Sequence, residues 1–128
     1  MNRYTTVGLA MVAGAAIGAA AIHGLHAQGS LPAFSVTELE VTNAAGYEPL
    51  RMGLVAENQK AGGKFLAQGG RVEVVEGSGP KRVVITQWKS MDDAKKYYAT
   101  PAVKKAFEDR KQFTRGARIF IVEGMPAN

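Results

Sequence analysis

Residues 62 to 101 constrain the fold more than any other stretch of the chain, because glycine residues recur in it at short intervals. The pair Gly62-Gly63 predicts the end of a preceding helix. Residues 64 to 76 have the pattern of a strand, and a second pair, Gly69-Gly70, interrupts it, which predicts a bulge or a sharp bend. The turn at residues 77 to 80 (GSGP) then predicts a hairpin that leads into another strand.

The chain before that stretch predicts a strand followed by a helix. Residues 34 to 42 (FSVTELEVT) alternate as a strand does, and their apolar phase switches along the strand, so that both faces carry apolar side chains. Asn43 predicts a helix N-cap, and Pro49, which is tolerated only in a first turn, puts the helix start near Gly46 or Tyr47. The apolar stripe of this helix consists of Tyr47, Leu50, Leu54 and Ala61.

After the hairpin turn, the chain predicts a strand, a helix that is broken once, and a final strand. Residues 82 to 89 (RVVITQWK) form the strand, and Ser90 caps the helix that follows. Thr100 as an N-cap and Pro101 at the first helical position restart the helix. The last strand covers residues 118 to 123 (RIFIVE). The inner stripe of the helix before the break consists of Met91, Ala94 and Tyr98.

This order of elements, β-α-β-β-α-β, predicts an α+β ferredoxin-like sandwich with an antiparallel four-stranded sheet and helices on one face. The third and fourth strands carry apolar side chains on both sides, so the face without helices would be apolar as well. An exposed apolar face of that size predicts burial against a second copy of the chain. We therefore expect a homodimer in which the two sheets pack face to face.

The N-terminal residues predict export. Arg3 precedes an uncharged stretch rich in Ala, Gly and Val, and Ala27 offers a cleavage point, with Gly29 as a second option. The apolar stretch is shorter than the roughly 20 residues of a membrane-spanning helix. We expect a cleaved signal peptide at residues 1–27 and a periplasmic or secreted protein with no membrane span after cleavage. A retained N-terminal anchor is the alternative.

Cleavage would leave a flexible lead-in at residues 28–33, one domain at residues 34–124 and a short tail at residues 125–128. The chain has no cysteine, and both histidines, His23 and His26, lie in the presumed signal. Thiol and Ser-His-Asp catalysis are therefore excluded for the mature protein. Zinc, copper and histidine-ligated haem are disfavoured, so we expect no metal and no cofactor.

The charge of the chain is mild and evenly spread. Removal of Arg3 with the signal reduces the formal net charge from +5 to +4. Nucleic-acid-binding proteins more often concentrate basic residues in a stripe with interleaved aromatic side chains. We therefore expect no nucleic-acid partner.

Four segments, GGKFLAQGG, VVEG, RVVITQW and SMDDAKKYYATPA, occur in an order that resembles the exported branch of the bacterial "domain of unknown function 1330" family. The resemblance covers residues 34 to 124 and implies the dimeric α/β-barrel type of the ferredoxin-like fold. Relatives in the wider group include cofactor-free monooxygenases, haem enzymes and muconolactone-type isomerases, but the family itself has no settled activity. The family often has a basic residue where Gln68 stands, and this departure argues against an anion-binding role at that position.

Five residues are candidates for a site, which in this fold commonly lies between sheet and helices. Glu76 could act as a base or fix a ligand hydroxyl, although a surface acid at a turn is the simpler interpretation. Arg82 could hold a carboxylate, Trp88 could form a pocket wall, and Tyr47 and Tyr98 could offer hydroxyl groups to a ligand. Each of these four also has a structural interpretation, as a surface charge or a packed side chain.

Three functions follow from these candidates. The first is an exported domain that binds a small aromatic or acidic molecule. The second is a cofactor-free oxygenase or isomerase in which Glu76 or a tyrosine moves a proton, and the third is a structural or partner-binding module. A pocket of roughly 300 Å³ or more with Glu76 turned inward would favour the first two functions. A filled interior with Glu76 in solvent would favour the third.

Overall fold

A computed structural model of the protein describes residues 30 to 126. The predicted signal peptide lies outside the described residues. The strands are β1 (Ala33–Val41), β2 (Lys64–Gln68), β3 (Arg82–Trp88) and β4 (Thr114–Glu123). The helices are α1 (Ala44–Lys60), α2 (Met91–Ala99) and α3 (Pro101–Arg110). Because α2 and α3 together take the place of the second helix, the ferredoxin-like order is confirmed.

The four strands form one antiparallel sheet in the order β2-β3-β1-β4. On central strand β1, alternate residues point to opposite faces, and Ser35 and Thr37 are buried on the face that the helices cover. Val36 pairs with Ile85 on one side and with Phe120 on the other, so these three side chains share the opposite face. The helices therefore cover one face of the sheet and leave an apolar face without helices.

Helix α1 is capped at both ends and contains an internal proline. The Asn43 side chain accepts a hydrogen bond from the Gly46 N–H at 3.0 Å, which confirms the predicted N-cap. The helix nevertheless begins at Ala44, earlier than predicted, and Pro49 lies inside it at an exposed position. Gly62 ends the helix with φ = +90°, as its place in the sequence predicts.

Strand β2 ends earlier than predicted. The prediction of one strand from residue 64 to residue 76 is wrong, because pairing stops at Gln68 and residues 70 to 81 contain no strand. The Gly69 N–H donates a hydrogen bond to the Val83 carbonyl at 2.9 Å. The backbone of Gly69 itself has φ = +71°. The left-handed backbone turns the chain away from β3. The glycine pair thus ends the strand instead of bending it.

Two strands begin earlier than predicted. Strand β1 starts at Ala33, inside the predicted lead-in of residues 28–33. Strand β4 starts at Thr114, because Arg115 pairs with Glu40 of β1 in the sheet and also forms an ion pair with it at 2.8 Å. A register shift between β1 and β4 lies beside Gly116, whose φ is +64°.

The core lies between the sheet and the two short helices. Trp88 is buried, and its ring centre lies 5.0 Å from that of Tyr97. Its indole N–H donates to the Ser35 hydroxyl at 3.0 Å, so this buried polar atom is satisfied. Ser90 and Thr100 are the N-caps of α2 and α3, as predicted. Within residues 30–126, no helix is long and apolar enough to cross a bilayer.

Candidate functional site

A small cavity lies between the sheet and the helices, with a volume of about 50 Å³. A water molecule needs about 10–15 Å³ by this measure, so the cavity has room for a few water molecules or for one small chemical group. Its polar lining residues are Thr37, Tyr47, Arg51, Asn58, Gln68, Arg82, Thr86, Tyr97, Tyr98 and Arg110. Its apolar lining residues are Leu54, Val55, Phe65, Val84 and Phe107.

The helical repeat explains how the helices bring polar side chains into this cavity. On α1, Asn58 lies four residues after Leu54 and therefore on the same face. On α3, Arg110 lies three residues after Phe107 and joins the inward face in the same way. On β3, Arg82, Val84 and Thr86 alternate with residues of the opposite face. Helices α1 and α3 and strand β3 thus place polar side chains around the same cavity.

Arg110 is buried, with 6% of its surface exposed. Its guanidinium carbon lies 4.1 Å from the centre of the Phe107 ring, which is a cation–π contact. Burial lowers the pKa of Arg110, and the nearby tyrosines Tyr47, Tyr98 and Tyr97 oppose this shift. In the part of the chain that the structure describes, no carboxylate lies within 4.0 Å of Arg110.

Arg82 also lines the cavity as an unpaired cation. Its Nε atom is buried and has no hydrogen-bond partner among the described residues. Its guanidinium lies directly against Gly69, where a side-chain carbon would collide with it, and 5.8 Å from the centre of the Tyr47 ring. Arg51 differs, because it forms an ion pair with Glu48 at 2.6 Å. Two of the three arginines around the cavity therefore lack an anionic partner within residues 30–126.

The remaining polar groups are neutral side chains. The Tyr97 hydroxyl donates to the Leu54 carbonyl at 3.3 Å, and burial raises the pKa of Tyr97 to about 12. Burial also raises the pKa of Tyr98, while hydrogen bonds from Ser35 and Thr37 oppose the shift. The Oδ1 atom of Asn58 is buried and has no donor among the described residues. The cavity thus offers an unused acceptor as well as unpaired cations.

The structure brings together three of the five residues that the sequence singled out. Tyr47, Arg82 and Tyr98 all line the cavity. Trp88 lies in the core beside it, where its ring packs against Tyr97 and Tyr98 without lining the cavity. Glu76 is exposed in the irregular segment of residues 70 to 81 and does not line the cavity.

Asn58, Tyr97 and Arg110 are among the lining residues that sequence reasoning missed. Asn58 and Arg110 carry a usable signal, since each is a polar residue at the next position of a stripe that is otherwise apolar. Tyr97 lies three residues after Ala94, on the buried side of α2, and its ring packs between that helix and the sheet. A polar side chain inside an apolar stripe is therefore the pattern that points to this cavity.

The chemistry of the cavity follows from its lining. Its lining within residues 30–126 contains no carboxylate, so no strong proton acceptor faces the cavity in this part of the chain. The described residues also contain no group of three or more His, Asp, Glu or Cys placed to hold a metal ion. Guanidinium and hydroxyl groups can bind and orient an anionic or hydrogen-bonding molecule.

Fold and cavity together define the class of protein: a ferredoxin-like α+β domain with a polar cavity between its sheet and helices. The chain belongs to the family described as "Domain of unknown function (DUF1330)", which matches residues 32–125. No curated protein matches the sequence.

Solved structures share the fold at low sequence identity. A protein of unknown function from Rhodopseudomonas palustris, RPA0582, is 15% identical with a TM-score of 0.62, over 75% of this chain and 84% of that one. A conserved protein from Methanosarcina mazei Go1 is 17% identical with a TM-score of 0.57, over 77% and 97%. A mutant of the cofactor-independent oxygenase SnoaB from Streptomyces nogalater is 14% identical with a TM-score of 0.55, over 74% and 94%. At these identities the likeness shows the fold alone.

Proposed function

We propose that the protein is an exported, homodimeric domain that binds a small molecule in the cavity between its sheet and helices. The observation that carries this proposal is Arg110, a buried cation without an anionic partner among the described residues. A buried charge without a partner costs several kcal/mol of folding free energy in general. A bound molecule that supplies the partner offsets this cost.

The unpaired groups are more easily explained by ligand binding than by a purely structural role. Arg82 Nε and Asn58 Oδ1 are both buried without a partner in residues 30–126, and both residues line the same cavity as Arg110. Native proteins satisfy most buried polar atoms, so two unsatisfied atoms beside the buried Arg110 around one cavity are unusual. The small volume of the cavity and the exposed Glu76 are the features that favour a partner-binding module. That alternative leaves the unpaired arginines without an explanation.

Cofactor-free oxygenation is the second candidate function. The likeness to SnoaB in fold supports it, and the tyrosines around the cavity could hold a substrate. The pKa of Tyr97 is raised to about 12, which makes its hydroxyl a poor acid and keeps it protonated at neutral pH. With Glu76 exposed, the described lining contains no carboxylate that could take a proton. These two observations rank binding ahead of catalysis.

The homodimer is supported by the sheet face that the helices leave bare. Phe120 is 43% exposed and Val122 is 50% exposed on that face, although both are large apolar residues. They continue the surface formed by Phe34, Val36 and Ile85 on the neighbouring strands. A second sheet packed against this surface would remove it from water.

Export is supported by the sequence of residues 1–27. We expect the mature protein to begin after Ala27 and to reside in the periplasm or outside the cell. Mass spectrometry of the protein from its own host checks this expectation, and a mature N-terminus at Met1 would contradict it.

Ligand binding is tested by native mass spectrometry of the protein purified from its own host. We expect a bound small molecule of defined mass on the wild-type protein. Val84→Phe fills the cavity, because Val84 lies in its wall, and should remove the bound mass. Met52→Phe changes an exposed position on α1 and serves as the control, which should keep the bound mass. The absence of any bound mass on the wild type would count against the proposal, whether or not the variants fold.

A further inference from the structure

We propose that the molecule bound in the cavity carries a carboxylate group and that Arg110 is the residue that holds this group. This inference rests on the proposed function, because it names the chemical class of the ligand at the same site.

The charged side chains that line the cavity within residues 30–126 are all positive. Three arginines line it, and the lining within residues 30–126 contains no acidic side chain. Arg51 is neutralised by Glu48, but Arg82 and Arg110 have no carboxylate within 4.0 Å in the described chain. The tyrosines Tyr97 and Tyr98 do not supply the missing charge, because a tyrosine hydroxyl is protonated at neutral pH and burial raises the pKa of both further. An anion from outside the chain is the group that this environment lacks.

The small volume of the cavity favours a carboxylate over a phosphate, although a guanidinium can bind either group through two parallel hydrogen bonds. A guanidinium presents its N–H donors in a planar fork that matches the two oxygens of a carboxylate. The volume of about 50 Å³ is small for a tetrahedral group with four oxygens and their hydrogen-bond partners.

The rest of the ligand has space beside the cavity. An open groove of about 740 Å³ lies against α2, α3 and β4. Tyr98 and Phe107 line both the cavity and the groove and thus form the wall between them. Apart from the rim lysines Lys95 and Lys104, the groove is lined mostly by apolar side chains. A molecule with its carboxylate in the cavity can place an apolar part in the groove only if Tyr98 or Phe107 turns aside.

The test compares carboxylates with their uncharged amides on the purified full-length protein by thermal unfolding and isothermal titration. The probes are acetate against acetamide and benzoate against benzamide, at constant ionic strength set with sodium chloride. Inorganic phosphate is a further probe. We expect at least one carboxylate to raise the unfolding temperature and its amide to have no effect. Arg110→Met should weaken carboxylate binding by about tenfold or more, because it removes a charge-assisted hydrogen bond.

Arg71→Met is the matched control, since it removes the same charge from a side chain that is 90% exposed and outside the cavity. It should leave carboxylate binding unchanged. Arg110→Met should also fail to destabilise the protein without ligand, since it removes a buried unpaired charge. Loss of stability in the ligand-free variant together with unchanged carboxylate binding would show a purely structural role for Arg110 and overturn the inference.

The outcomes separate this inference from the proposed function. Amides that bind as tightly as carboxylates, or phosphate that binds more tightly than both, would overturn the carboxylate inference while ligand binding in the cavity stands. Binding of no probe, together with no co-purified molecule on the wild type, would overturn both. These comparisons on the wild-type protein decide the matter even if Arg110→Met does not fold.

Discussion

At the scale of single residues, the cavity shows how burial sets the properties of side chains that are ordinary on a surface. Arg110 would be an ordinary charge in solvent, but it is buried without an acidic partner, and the half-buried Arg82 beside it has a buried Nε atom without a hydrogen-bond partner. Burial also raises the pKa of Tyr97 to about 12, further above neutral pH than the ordinary value of 10.0. Neutral tyrosines beside unpaired arginines make the cavity cationic at neutral pH.

The raised pKa of Tyr97 predicts a loss of stability in alkali. The folded pKa of about 12 lies above the unfolded value of 10.0, so the contribution is fully present below pH 10 and is lost as the pH rises towards 12. A shift of this size corresponds to about 2–3 kcal/mol of unfolding free energy. Urea unfolding at increasing pH should show a smaller loss for Tyr97→Phe than for the wild type. Equal losses in the two proteins would contradict this account.

The sequence predicted part of this site for a definite reason. Tyr47 and Tyr98 lie on helical stripes, and Arg82 begins an apolar strand, so periodicity alone directs all three inward. Glu76 is a candidate from the sequence because residues 64 to 76 alternate like a strand. The sequence pattern does not show where the hydrogen bonds of that strand stop, and they stop at Gln68, well before Glu76. Arg110 requires the packing of α3 on the sheet to be known before its burial is visible.

At the scale of elements, glycine determines where β2 stops. The caps at Asn43 and Ser90 and the break at Thr100-Pro101 could be predicted because each acts through neighbours in sequence. The end of β2 could not, because it depends on Gly69 lying against Arg82, which is 13 residues later in the chain. The early start of β4 similarly depends on Arg115 meeting Glu40 of β1.

Gly69→Ala should therefore destabilise the protein, whereas Gly70→Ala should not. Gly69 has φ = +71°, which costs an L-residue about 1–2 kcal/mol, and a Cβ there would displace the Arg82 guanidinium. A Cβ at Gly70 would meet nothing within 4 Å. We expect a loss of about 1–2 kcal/mol of unfolding free energy in urea for Gly69→Ala and a change within about 0.5 kcal/mol for Gly70→Ala. Equal effects of the two substitutions would contradict the role given to Gly69.

At the scale of the whole molecule, the two faces of the sheet have different surroundings. One face carries the core and the cavity, and the other is apolar although no helix covers it. The irregular segment after Gly69 adds to the apolar surface, since Val75 is 97% exposed and Val74 is 49% exposed. The chain has no cysteine and therefore no disulfides to stabilise it, so burial of the sheet face without helices between two copies would add to its stability.

The apolar face predicts a dimer that a single charge should disrupt. Phe120→Lys places a charge on the exposed face beside Val36. In a two-fold dimer the charge occurs twice, and burying an unpaired charge costs about 3–5 kcal/mol, so the dissociation constant should rise by about 100-fold or more. Met52→Lys, at an exposed position on α1, is the control and should leave the dimer intact. Light scattering at micromolar concentration measures all three proteins, and a wild-type monomer there would refute the dimer and leave the exposed face without an explanation.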